Sequence, residues 1–287
     1  MAVGEGLDQR YTEVRQRAAD AAVRAGRRPE EVILIAVTKN AEPEDIRRLI
    51  ELGQVDFAEN RAQQLIQRAG MAREWLDRTG VLDRSARADE HAPELTHDQP
   101  VRWHLVGHLQ RNKARKIAEA VRLVQSVDSL RIAEELQQAM IKLDRQLDVL
   151  IQVDVAGEDA KFGCAVPAVI PLAEQIDSMY HLNLRGLMTI APYSDNPEDA
   201  RPHFARCREL FHEIADMGMG DGRFNLLSMG MPGDFEVGIE EGANLVRVGT
   251  AIFGEQAPSD GVIEEAPPAE GDEDAPEPHH ADQSTEN

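Results

Sequence analysis

Short apolar runs recur along the chain, separated by stretches in which hydrophobic positions follow a helical period. The runs are VILIAVTK (32–39), VDFAEN (55–60), VRWHLVG (101–107), LVQSVDS (123–129), DVLIQVD (148–154), LRGLMTIA (184–191), FNLLSMG (224–230) and LVRVGTAIFG (245–254). Runs of this length and composition predict strands, and their alternation with helical segments predicts parallel βα units. Eight units predict a single (β/α)8 TIM barrel, an α/β fold for which about 250 residues is an ordinary length. The helices carry their own punctuation. PEDIRRLIELG has Pro43 in its first turn and Gly53 past its end, and GDFEVGIEEG closes on Gly242. A stretch from about Leu7 to Arg24 precedes the first strand and predicts an extra N-terminal helix outside the ring.

Two segments break the rhythm. Residues 77–100, DRTGVLDRSARADEHAPELTHDQP, are polar and charged without a sustained period, and predict an inserted surface loop. Residues 255–287 are rich in Pro, Glu, Asp and Ala with little to bury, and predict a disordered acidic tail beyond a barrel domain of residues 1–254. The charge is uneven in the same way. Eleven of the 52 acidic residues and none of the 31 Lys and Arg residues fall in the tail, so of the formal −21 the body carries −10. An acidic body speaks against nucleic acid as a partner, because phosphate-backbone binding needs a concentrated basic surface. The one dense basic run, RNKARK (111–116), reads as the solvated face of a helix.

No run approaches the roughly 20 apolar residues of a membrane span, and the N-terminus lacks the apolar core of a secretion signal. The expectation is a cytoplasmic protein with no membrane partner. Cys164 and Cys207 form neither a disulfide framework nor a metal-ligand spacing, which suits a reducing compartment.

In such a barrel the chemistry sits at the C-terminal ends of the strands. Polar residues gather there: Lys39, Asn60, His104, Thr189, Ser228, Arg247 and Thr250. Lys39 ends an apolar run and is either a solvated group or a buried amine; the residues by themselves favour the first reading. A buried amine would be desolvated and could attack an aldehyde. After strand seven, Ser228-Met229-Gly230-Met231-Pro232-Gly233-Asp234 combines a hydroxyl with glycines, and Gly249-Thr250 does so after strand eight; the two could together cradle a phosphate. On strand eight Arg247 shares a face with Leu245 and Gly249, which points it into the barrel, where it serves a ligand or pairs with a carboxylate such as Glu59 or Asp154. His104 and His108 are four apart, but strand periodicity puts His104 in the barrel and His108 in a loop, so no metal is expected.

The motifs ILIAVTK, FAENRAQQ, WHLVGHLQRNK, VQSVDS, RGLMTIAP and LSMGMPGDFEVGIEEGANLVRVGTAIFG, in this order, resemble the pyridoxal phosphate homeostasis protein family. The resemblance spans Val32 to Gly254. It implies a barrel like the N-terminal domain of alanine racemase, with pyridoxal 5′-phosphate (PLP) held as an imine on Lys39. The phosphate would lie near Ser228, Gly249 and Thr250, with Gly230 in the same cradle, Arg247 at the ring nitrogen, and Asn60 and His104 lining the pocket. It also implies a carrier or regulator of PLP, acting on vitamin B6 balance and toward PLP-dependent apoenzymes, without an established catalytic activity. Pro232 stands where the family usually has serine, which removes a hydroxyl and an N–H from the cradle.

Three functions compete: a PLP carrier or regulator, a PLP-dependent amino-acid racemase or lyase, and a cofactor-free aldolase acting through Lys39. Racemisation needs proton-transfer groups on both faces of the substrate carbon. Of the three tyrosines, Tyr11, Tyr180 and Tyr193, only Tyr193 follows a strand end closely. The carrier is therefore the preferred reading, and a monomer the expected state.

Overall fold

The computed structural model describes residues 3–79, 101–157 and 163–254, with the side chains of residues 3–5 and 79 outside the description. The acidic tail and most of the 77–100 insertion lie outside the described residues.

Eight parallel strands close a ring in the order β1 (Ile33–Val37), β2 (Asp56–Glu59), β3 (Arg102–Leu105), β4 (Leu123–Val127), β5 (Leu147–Asp154), β7 (Leu182–Thr189), β8 (Leu226–Ser228) and β9 (Leu245–Val248). β9 pairs with β1, with Ile35 opposite Arg247, and β4 pairs with β5, so no edge is left open. A two-residue strand, β6 (Cys164–Ala165), adds to the end of β5 and was not expected from the sequence.

Side chains alternate between two apolar layers. Leu245, Ile35, Ala58 and Leu226 belong to a small cluster inside the ring, whereas Val246, Val248, Phe57 and Leu227 join the large layer between strands and helices. That outer layer is covered by α2 (Pro43–Glu51), α3 (Ala62–Thr79), α4 (Ala114–Ala120), α5 (Leu130–Leu143), α6 (Val166–Asp177), α7 (Arg201–Asp216) and α8 (Phe235–Glu240). Pro43 occupies the first turn of α2 behind a capping box of Glu42 and Asp45. The N-terminal helix α1 (Val3–Arg24) packs on α2 and α8, burying Leu7, Tyr11 and Val14.

Two boundaries differ from the sequence reading. The eighth run is a strand only to Val248. Gly249 turns the backbone to φ −118° and ψ −77°, and Thr250–Phe253 forms a short helix, α9. Residues 77–79, assigned to the insertion, are instead the last residues of α3.

Candidate functional site

Arg247 on β9 points into the ring and is 3% exposed. Its NH1 donates to Ser228 Oγ at 2.6 Å and its NH2 to the Thr189 carbonyl at 2.8 Å, two uncharged acceptors. The carboxylates named as alternative partners are engaged elsewhere. Glu59 accepts from Thr38 Oγ1 and Arg68 NH1, both at 2.5 Å, and Asp154 accepts from the Ala156 and Gly157 N–H groups at 3.1 Å. Burial pushes the Arg247 guanidinium down to about 10, against the opposing charge of Asp234. A buried cation held by neutral acceptors is poorly compensated.

A line of hydrogen bonds runs from Arg247 through the ring. Ser228 Oγ donates to Gln125 Oε1 at 2.7 Å, and Gln125 Nε2 lies 3.1 Å from His104 Nδ1. His104 Nε2 lies 3.0 Å from Asp56 Oδ1, and Arg102 closes the line with two bonds to the Asp56 carboxylate, at 2.8 and 2.5 Å. With Gln125 as donor, Nδ1 of His104 must accept, so Nε2 carries the proton toward Asp56. Burial pushes the Asp56 carboxyl up, but His104 and Arg102 outweigh it and hold it below its ordinary value. Arg247 is thus braced by residues on β4, β3 and β2. The sequence reading took in His104, Ser228 and Arg247 but not Asp56 or Gln125. The available signal was a polar residue on the inward face of an apolar strand.

The other expected residues surround the C-terminal mouth. Val37 ends β1 beside β9; a Cβ on Gly249 would stand 2.9 Å from the Val37 carbonyl oxygen, so only glycine lets the two strand ends approach. Lys39 follows in the turn after β1 and is exposed, not buried. Asn60, also exposed, follows β2, where Glu59 accepts from the Val106 N–H at 3.0 Å. Gly230 adopts φ +100° after β8 and lies against Phe235, a position closed to a side chain, and its carbonyl accepts from the Arg247 N–H at 3.0 Å. Thr250 is half-buried at the start of α9. Pro232 sits in a loop closed by Asp234, whose carboxylate accepts from the Met231 N–H at 2.6 Å.

His104 is fully buried in the ring and His108 lies in the loop after β3, 3.6 Å from Asp128. Among the described residues no group of three or more potential metal ligands occurs. Tyr193 is 92% exposed and donates to Asp195 at 3.0 Å.

The fold is that of a known family. The model for the alanine racemase N-terminal domain matches residues 23–257. The pyridoxal phosphate homeostasis protein of Aquifex aeolicus is 35% identical over 252 residues, covering 86% of this chain and 97% of its own; that of Pseudomonas aeruginosa is 37% identical over 248 residues, covering 86% and 95%. Among solved structures, PipY of Synechococcus elongatus PCC7942, determined with PLP bound, superimposes with a TM-score of 0.65 at 30% identity, covering 84% of this chain and all of PipY. The (β/α)8 ring and these likenesses agree, and the chain belongs to the pyridoxal phosphate homeostasis protein family, built on the alanine racemase N-terminal domain.

Proposed function

We propose that this protein binds PLP at the C-terminal mouth of its barrel and serves in intracellular PLP homeostasis as a carrier or regulator. The observation that carries this reading is Arg247, a buried guanidinium whose acceptors are all uncharged, next to the strand end that leads to Lys39. The residues fit the cofactor. Gly249 and Gly230 flank the strand ends at positions where a Cβ would meet the backbone of Val37 and Phe235, so no side chain intrudes there.

Lys39 Nζ is the nucleophile, and PLP when bound supplies the aldehyde carbon it attacks. Gly230, Gly249 and Thr250 would hold the phosphate, with Ser228 behind them. Arg247 would donate toward the ring nitrogen, which would discourage its protonation and weaken the cofactor as an electron sink. Asn60 lines the rim, and His104 acts from below through Gln125. Such a site retains and releases PLP better than it drives amino-acid chemistry, which favours the carrier over a racemase or lyase. PLP-dependent apoenzymes are the partners this role requires, and a monomer in the cytoplasm is the matching state. Among the described residues no helix is long and apolar enough to cross a membrane.

Loading the purified protein with PLP, desalting it and recording the visible spectrum tests the reading. Wild type is expected to keep a visible band that Lys39→Ala loses, and a wild type that cannot be loaded refutes it.

A further inference from the structure

At the opposite end of the barrel, where the strands begin, a cavity of about 750 Å³ opens between the starts of β3, β4, β5, β7 and β8. Five arginines line it: Arg102, Arg122, Arg145, Arg185 and Arg223. Most of the carboxylates near them are already shared, and the exposed Asp144 also stands on the wall. Asp148 forms an ion pair with Arg122 at 3.0 Å and accepts from Arg185 at 2.7 Å and Asn183 at 2.9 Å, and Asp56 is taken by Arg102 and His104. Glu119, also on the wall, pairs with Arg115.

Donors are left over. Arg122 Nε is buried with no hydrogen-bond partner among the described residues, although the rest of the side chain is anchored on Asp148. Arg145 and Arg223 are exposed at the cavity, and among the described residues neither pairs with a carboxylate. Burial pushes the Arg122 guanidinium down; Asp148 opposes this, and the crowding of Arg185, Arg102 and Arg145 adds to it. A buried guanidinium nitrogen without a partner is uncommon and costly, and here it sits beside two further arginines unpaired among the described residues.

We infer that this arginine-lined bowl is a second ligand site, distinct from the mouth that holds Lys39, and that it takes the phosphate monoester of a small ring-bearing molecule. Guanidinium forks match the oxygens of a phosphate in pairs, and the volume is that of a small-molecule site rather than a bare anion. Tyr180 and His181, in edge-to-face contact at 5.1 Å, lie on the same wall, and the 77% exposed Tyr180 ring offers a surface for stacking. The inference does not depend on the PLP reading.

Titrating the full chain with inorganic phosphate and with phenyl phosphate, in wild type and in an Arg145→Gln/Arg223→Gln double variant, tests it. The expected result is saturable binding of both, phenyl phosphate at least as tightly. The double variant, altered only at exposed positions far from Lys39, should weaken both by at least about tenfold, roughly the worth of one charge-assisted hydrogen bond. Equal binding in the two proteins, or no saturable binding in wild type, would overturn the site. Phosphate bound with phenyl phosphate excluded would overturn the ester. Arginine side-chain ¹⁵N spectra of wild type decide without any variant: the Arg122 Nε–H signal should move on adding phenyl phosphate, and an unmoved signal would count against the bowl.

Discussion

Arg247 NH1 donates to Ser228 Oγ at 2.6 Å, and the single proton of that hydroxyl goes on to Gln125. Ser228 therefore acts as a link between Arg247 and the barrel interior, with no proton left for a phosphate.

Ser228→Ala should then behave as an interior substitution. It leaves Gln125 Oε1 buried and unpaired, at a cost of about 1–3 kcal/mol in denaturant unfolding. Thr250→Ala, at a half-buried position without such a link, should stay within about 0.5 kcal/mol of wild type and weaken PLP retention instead. Paired unfolding curves and equilibrium dialysis check both, and the reverse pattern would remove Ser228 from the interior line.

Gly249→Ala should cost about 1–3 kcal/mol, because the new methyl group meets the Val37 carbonyl oxygen across fixed backbone. The strain falls on the strand end that leads to Lys39, so slower loading with PLP should accompany the lost stability. Stopped-flow absorbance on the refolded variant measures it.

Much of this was legible in the sequence because strand periodicity constrains direction as well as location. Alternation on LVRV placed Arg247 inside the ring and the two valines outside, as found. The run 245–254 misled because TAIF is apolar, and a short apolar stretch does not distinguish strand from helix; the backbone at Gly249 makes the break. Gln125 and Asp56 were passed over because one polar residue in an apolar run carries no partner information. Their roles depend on β3, β4 and β8 meeting across the interior, which only closure of the ring brings about. Lys39 was visible as a strand-end lysine, but its exposed setting reflects the turn after β1 and could not be read from the apolar run before it.

Acid should loosen the barrel partly through Asp56. Its carboxyl is held below the ordinary value in the folded protein, so its contribution is complete above about pH 4 and is lost as pH falls through the folded value. Asp56→Asn should flatten the acid limb of the stability profile and cost about 2–3 kcal/mol at neutral pH, less than a fully buried pair because Arg102 retains some access to water. An unchanged acid limb would show that Asp56 does not control it.

Purified protein should not interconvert the enantiomers of alanine or serine at an enzyme-like rate. Tyr193, the tyrosine nearest a strand end in sequence, is exposed and bonded to Asp195, so the chain shows no tyrosine poised to serve a second face of the substrate carbon among its described residues. Racemisation that depends on Lys39 would make the protein an enzyme and displace the carrier reading.

The central claim is that Lys39 carries PLP. Reducing the PLP-loaded protein with borohydride and mapping the modified peptide tests it most directly. The account predicts one stoichiometric pyridoxyl group on the peptide containing Lys39, absent from Lys39→Ala; a label on another lysine, or none on a protein that nevertheless binds PLP, would contradict it.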